Sequence, residues 1–273
     1  MIIAQISDLH LRTDGEPLRG GIDPAANLDA CLDHIRAMTP RPDVVLATGD
    51  LVQKQCHGDY GALRARLDAL GIPTYVIPGN HDRREPLRAA FADAGYFTDP
   101  KFCHYVVEGY PLRLIALDTV IDGGDGGKMG PGRRAWLADR LAEAPDAPTL
   151  IFMHHPPFKV GIDFMDRPDF IGAAELDALV RRHPRVERVV CGHAHRPMTV
   201  RWGGTVATVA PSLVFQMAMD MRPGARSSFV LEPPGFAVYA WRPDTGLVGH
   251  VHPVGDFGPR QAFRMAAAAP AAG

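Results

Sequence analysis

Five short stretches of this chain carry side chains that bind hard metal ions: Asp8-Leu9-His10, Gly49-Asp50, Gly79-Asn80-His81-Asp82, His154-His155 and Gly192-His193-Ala194-His195. Carboxylate, amide oxygen and imidazole without thiolate suit manganese, iron, cobalt or zinc, and fit poorly with copper(I) or an iron–sulfur cluster. Taken singly, each stretch has a plain structural explanation. Asp8-x-His10 can be a capped turn, Asp50 a turn cap, and the asparagine of the third stretch an ordinary turn residue. Together they supply ligands for two cations, with a histidine to spare.

The spacings add detail. Side chains alternate along an extended strand, so Asp8 and His10 share one side of it. Asp50 follows Gly49, where a bare backbone can come close to a ligand. Its two carboxylate oxygens can bridge cations roughly 3.5–4 Å apart. Asn80 offers a neutral carbonyl oxygen. His81, its neighbour, cannot easily reach the same ion and is left to hydrogen-bond a phosphoryl oxygen or protonate a leaving group. His154 is expected to face the centre, with His155 on the opposite side as support. His193 and His195 could face one metal or be divided between two.

Such residues need rigid elements behind them. Ile2–Ile6 reads as a short buried strand, and Asp23-Pro24 opens a helix with aspartate as N-cap and proline in the first turn. Leu28, Leu32, Ile35 and Met38 follow at helical spacing. Val44–Ala47 is a second strand and Thr74–Ile77 a third. Between them Tyr60, Leu63, Leu67 and Leu70 mark a helix stopped by Gly71. Ile151–Met153 runs into His154, and Val189–Cys191 into Gly192. Asp8, Asp50, Asn80, His154 and His193 thus each lie one to four residues past an apolar strand. Open α/β sheets bind their ligands there.

The second half is richer in strands. Met198–Trp202, Thr205–Val209, Phe236–Trp241 and Leu247–Val251 are separated by tight turns and are expected to form a second sheet packed on the first. Stretches 121–130 and 156–172 read as loops, and residues 266–273 as a frayed tail. With no repeat or linker, one domain over residues 1–265 is expected. His250-x-His252 lacks an accompanying carboxylate group beyond Asp256 and reads as a solvated strand edge. His34, His57, His104 and His183 are scattered, although His57 follows the Asp50 strand closely enough to touch a substrate.

Composition narrows the class. The chain has 273 residues, 46% hydrophobic and 22% charged, as in ordinary globular proteins. Its net charge of −2 gives no global field for long nucleic acid or anionic membrane. Cys31, Cys56, Cys103 and Cys191 are widely spaced without a CxxC pair, and read as buried reduced thiols. The N-terminus lacks a basic region and enters a strand at once, so no signal peptide is read there. No apolar run approaches the roughly 20 residues of a membrane helix. A cytoplasmic location is the resulting expectation.

In this order, D-x-H, G-D, G-N-H-D, H-H and G-H-x-H resemble the calcineurin-like metallophosphoesterase superfamily. Within it, Ile6-Ser-Asp-Leu-His10, Pro78-Gly-Asn-His-Asp82 and Met153-His-His-Pro-Pro157 look most like bacterial class III cyclic-nucleotide phosphodiesterases and related glycerophosphodiesterases. The resemblance implies a four-layer αββα sandwich, an α/β fold of two mixed sheets flanked by helices. It also implies one metal held by Asp8, His10, Asp50 and His195, and another held by Asp50, Asn80, His154 and His193. Two departures bear on substrate. Gly49-Asp50 continues as Leu-Val-Gln-Lys-Gln, unlike the protein Ser/Thr phosphatase branch. Phe215 stands where glycerophosphodiesterase relatives are expected to carry a histidine, and no histidine lies between His195 and His250.

The expected activity is therefore hydrolysis of a small phosphodiester, a cyclic nucleotide or a glycerophosphodiester, by a hydroxide bound at two metal ions (Mn, Fe, Zn or Co). His81 is the expected catalytic residue, steadying or protonating the leaving oxygen. Loops 121–130 and 156–172 could form the substrate pocket. Lys128, Lys159 and Arg167 are candidate anion contacts there, each also explicable as solvated loop charge. A phosphomonoesterase and a metal-free binding scaffold are the alternatives. The resemblance also allows a homo-oligomer.

Overall fold

A computed structural model describes residues 1–56, 58–259 and 261–263. The expectations for His57 and for the tail 266–273 lie outside the described residues. In chain order the elements are β1 (Ile2–Ile6), α1 (Pro24–Arg36), β2 (Val44–Thr48), α2 (Gly61–Leu70), β3 (Thr74–Ile77) and α3 (Arg84–Ala90). Next come β4 (Tyr105–Val107), β5 (Arg113–Leu117), α4 (Pro131–Glu143), β6 (Thr149–Met153), α5 (Asp163–Asp166), α6 (Ala173–Arg181) and β7 (Val186–Cys191). The chain continues through β8 (Met198–Trp202), β9 (Thr205–Val209), β10 (Gln216–Met217), β11 (Phe229–Val230), β12 (Gly235–Arg242) and β13 (Gly246–Pro253).

Two mixed sheets result. One has five strands in the order β13-β12-β1-β2-β3, the other six in the order β4-β5-β6-β7-β9-β8. Period-two alternation explains why they stack. In β2, Val45 and Ala47 face one apolar cluster, shared with Leu28, Leu32 and Ile35 of α1 and Leu63, Leu67 and Leu70 of α2. Val44 and Leu46 point the other way, into a layer shared with Leu114, Leu150, Phe152 and Val190 of the second sheet. Ile151 and Met153 then meet Leu137 and Leu141 of α4 and Leu176, Leu179 and Val180 of α6. Helices, sheet, sheet, helices: the four layers are those the sequence resemblance implies.

Helix ends follow the local chemistry. Asp23 caps α1 by accepting from the Ala25 and Ala26 amides at 2.9 and 3.1 Å, and Gly71 closes α2 at φ 63°. One expectation fails. The four late strands do not make a sheet of their own. β8 and β9 extend the β4–β7 sheet, whereas β12 lies antiparallel to β1 and carries β13 on its outer side. Alternation reveals which faces a strand buries but not which strand it pairs with. Between residues 156 and 172 the chain also holds the single turn α5. No helix among the described residues is long and apolar enough to cross a membrane.

Candidate metal centre

The ligand-type residues stand at the carboxyl ends of the central parallel strands β1, β2, β3, β6 and β7. Five of them adopt left-handed backbone: Asp8 (φ 54°), His10 (45°), Asp50 (49°), His193 (68°) and His195 (46°). Among the described residues they are the only non-glycine residues with positive φ. Each such residue costs about 1–2 kcal/mol, and survives only where its surroundings over-determine it, as at functional sites. Here the loops brace one another. The Asp8 and His10 amides donate to the Gly49 and Asp50 carbonyls at 3.0 and 2.9 Å. The His193 amide donates to both Asp8 carboxylate oxygens, at 3.1 and 3.0 Å.

Around Asp50 the side chains separate into two groups. Its Oδ2 lies 3.7 Å from His10 Nε2. That nitrogen is 3.1 Å from His195 Nε2, which in turn is 3.2 Å from Asp8 Oδ1. Ligand-type atoms of Asp8, His10, Asp50 and His195 all fall within 4.8 Å of one another, and all four residues are buried. The other oxygen, Oδ1, lies 3.4 Å from His154 Nε2. Asn80 Oδ1 sits 3.2 Å from that nitrogen and 3.1 Å from His193 Nδ1. Lone-pair atoms this close, in a buried site, have the spacing of ligands around ions with bonds of roughly 2.0–2.2 Å. The donor set fits two cations with Asp50 between them.

The outer hydrogen bonds aim the rings. His154 Nδ1 donates to the Thr48 carbonyl at 2.7 Å and His195 Nδ1 to the Phe215 carbonyl at 3.1 Å, so each turns Nε2 inward. Phe215 also stacks on the His195 ring at 4.8 Å. His155, expected on the opposite side, instead lies beside His154 and His193 in a group of metal-ligand type; its Nδ1 meets Thr119 Oγ1 at 2.8 Å while its buried Nε2 has no hydrogen-bond partner. The Asp82 carboxylate takes hydrogen bonds from the Leu51, Val52 and Gly79 amides and from Tyr60 Oη, at 2.8–3.2 Å. It ties the Asp50 loop to the Asn80 loop.

Protons occupy part of this site in the cation-free protein. Burial pushes the Asp8 carboxyl up, but the charge and hydrogen bond of His195 together with the His154 charge hold it low, at about 2. Asp50 is likewise raised by burial and more strongly lowered by His154, His81 and His10. Burial disfavours the His154 imidazolium, yet the Asp50 charge and hydrogen bond lift it to about 9. His195 is raised against burial by Asp8 in the same way. Burial dominates at His10 and His193, which fall to about 3 and about 4.

His81 stands apart from both ligand groups, with its ring edge-on to His10 at 4.6 Å between centroids. Its Nδ1 meets Gln53 Oε1, which also accepts from the Lys54 amide at 3.0 Å. That oxygen is therefore an acceptor, and His81 carries its proton on Nδ1 with Nε2 toward Asp50, 3.9 Å away. The Gln53 contact could not be read from sequence, since nothing in the spacing of residues 53 and 81 announces it.

Loops 121–130 and 156–172 meet, as expected, and wall a cavity of about 510 Å³ that His155, His193 and Ala194 connect to the centre. Two of the three cations expected there are otherwise engaged: Lys159 pairs with Asp169 and Arg167 with Asp163. A broader cavity of about 800 Å³ reaches Asn80 and His81 and is lined by Lys54 and Arg83. Away from the centre, His252 on the outer strand β13 faces His34 at 3.1 Å, and the buried His104 accepts from the Asp118 amide. Neither joins a cluster of metal-ligand type among the described residues.

Two-metal sites recur in phosphoester chemistry. The chain belongs to the calcineurin-like phosphoesterase family, whose model matches residues 1–197. It is 36% identical over 258 residues to a probable glycerophosphodiester phosphodiesterase of Arcobacter nitrofigilis, covering 94% of each chain. It is 29% identical over 256 residues to a 3',5'-cyclic adenosine monophosphate phosphodiesterase of Escherichia coli, covering 93% of this chain and 90% of the other. A dimetal phosphatase from Danio rerio shares the fold with a TM-score of 0.69 at 14% identity, over 93% of this chain and 99% of that one.

Proposed function

We propose that this chain is a metal-dependent phosphodiesterase acting on small phosphodiesters, cyclic nucleotides or glycerophosphodiesters. In this reading Asp8, His10, Asp50 and His195 hold one cation, and Asp50, Asn80, His154 and His193 the other. The observation that carries it is Asp50, buried at the tip of β2, with one carboxylate oxygen toward each group of ligand-type atoms. Two cations bound there would acidify a water and offset the charge of the phosphate oxygens.

The chain's own residues do the rest. Phosphoryl transfer asks mainly for positioning and electrostatics, and the left-handed loops fix the ligand side chains before substrate arrives. Gln53 holds the His81 proton at Nδ1 and orients the ring, so Nε2 presents a lone pair that takes up a proton and can then pass it to a departing ester oxygen. Lys159, Arg167 and Lys54 are paired with carboxylates, which leaves Arg83 as an unpaired cation beside Asn80 and His81 among the described residues and accords with a diester. A singly charged phosphate with two alcohol arms needs fewer free cations than a dianionic monoester. The names of the two relatives point the same way. Four free, buried cysteines accord with a cytoplasmic location.

The test compares kcat/KM for bis(p-nitrophenyl) phosphate and p-nitrophenyl phosphate on chelator-treated protein, with and without added Mn²⁺. Metal-dependent preference for the diester is expected, and Asp50→Ala should abolish both turnover and metal retention. Preference for the monoester would move the assignment to a phosphatase. Silence on both would leave a binding scaffold.

A further inference from the structure

We propose that the cavity between loops 121–130 and 156–172 seats an alcohol moiety of the diester and selects one that carries a flat, uncharged aromatic ring over glycerol. This rests on the phosphodiesterase reading above and names the substrate feature that reading leaves open. The cavity opens from His193 and is walled by Phe158, Val160, Met165 and Phe170. At about 510 Å³ it has the size of a small-molecule site. Its apolar side chains are half-buried fringe members of the core beneath α4 and α6, so the wall is anchored in the core.

The charged groups around it are spent on the loop itself. Lys159 Nζ donates to Asp169 Oδ1 at 2.9 Å and to the Asp166 carbonyl at 2.5 Å. The Asp166 carboxylate accepts from the Val160 and Gly161 amides at 2.7 and 2.9 Å. A cationic or polyhydroxylic arm would lose its hydration here and find little in return. An aromatic arm would replace water against Phe158 and Phe170.

Phe170 is also held in place. The Ile171 amide donates to the Gly127 carbonyl at 2.8 Å, and the Met129 amide to the Ile171 carbonyl at 2.9 Å. A Cβ at Gly127 would collide with the Phe170 ring and stand 2.7 Å from His155 Cβ. Glycine there leaves room for the ring against the loop, next to the chain that carries His154.

The experiment measures kcat/KM of Mn²⁺-loaded wild type, Phe170→Ala and Phe158→Ala on cyclic AMP, bis(p-nitrophenyl) phosphate and glycerophosphoethanolamine. Inhibition constants of the products AMP and glycerol 3-phosphate are measured beside them. Wild type should prefer the two aromatic-armed diesters. Losing one ring should lower kcat/KM for those two by roughly 5- to 100-fold, the worth of one aromatic stack. It should weaken AMP inhibition in parallel and leave glycerophosphoethanolamine and glycerol 3-phosphate within about twofold. An equal fall on all substrates, no fall on any, or a wild-type preference for glycerophosphoethanolamine overturns the arm assignment while leaving a phosphodiesterase. Absence of turnover on every diester, with metal bound, overturns the phosphodiesterase reading and the arm assignment with it.

Discussion

Gly192 offers a perturbation whose size follows from the geometry. It precedes His193 and is not among the glycines with left-handed backbone, so Gly192→Ala adds a methyl group without backbone strain. The methyl would overlap Ser7 Oγ and stand 2.9 Å from Asp8 Oδ2 and 3.0 Å from the Thr48 carbonyl. Ordinary contact begins at 3.4 Å, so the Asp8 carboxylate must retreat by the difference, 0.5 Å, and Ser7 further. Overpacking of this kind costs about 1–3 kcal/mol, a fall in Tm of roughly 2–10 °C for a chain of this length. Misplacing a ligand by a fraction of an ångström should lower kcat/KM by roughly 10- to 100-fold. Calorimetry, metal content after gel filtration and kcat/KM on bis(p-nitrophenyl) phosphate are the assays. Ser7 Oγ donates only to the Thr48 carbonyl, at 3.2 Å, so Ser7→Ala added to Gly192→Ala should recover part of the lost stability. A folded Gly192→Ala protein with wild-type metal content and wild-type kcat/KM would refute the reasoning, because Asp8 would then not be held here as a ligand.

Other substitutions and conditions test separate links. His81→Ala should lower kcat by about 10²–10⁴-fold and leave the metal content unchanged, since Asp50 accepts from the His81 amide and not from its ring; lost metal would make His81 a ligand. Asp82→Asn can turn an amide NH2 toward the Leu51, Val52 and Gly79 amides, and should destabilise the fold by roughly 1–3 kcal/mol and weaken metal retention, as read by thermal melts and metal analysis. A cation at His154 must displace a proton held up to about pH 9. Metal affinity should therefore rise up to about tenfold per pH unit between about pH 6 and about pH 8, and a flat titration over that range contradicts the assignment. The chelated protein has its own pH signature. The raised His154 contributes stability that is complete below 6.5 and lost as pH rises toward about 9. The lowered His10 and His193 cost stability as pH falls from 6.5 toward about 3 and about 4, respectively. Together they place a maximum of Tm near pH 6.5, and a monotonic profile would remove these histidines from the balance.

What could be read from the chain alone follows a physical pattern. Asp8, Asp50, Asn80, His154 and His193 were legible because short apolar runs announce buried strands and polar residues directly after them must sit at strand tips. The left-handed backbone at Asp8, His10, Asp50, His193 and His195 was not legible, since even Asp and His adopt it at only a small minority of positions and here the mutual bracing of the loops holds it. Phe215 marked a departure from a pattern, yet its contribution runs through a carbonyl oxygen and a stacked ring, neither of which sequence displays. Gln53, Thr119 and the tying role of Asp82 depend on loops brought together by the two-sheet stack. The partner of β12 was missed for a related reason. Its buried faces suit either sheet, and alternation does not name the partner strand.

The central claim is that Asp50 lies between two cations. Anomalous diffraction from crystals of the protein grown with Mn²⁺ measures this directly. Two peaks are expected roughly 3.5–4 Å apart, one beside Asp8, His10 and His195, the other beside Asn80, His154 and His193, with the Asp50 carboxylate between them. A single peak, or two peaks with Asp50 bound to neither, would contradict the claim.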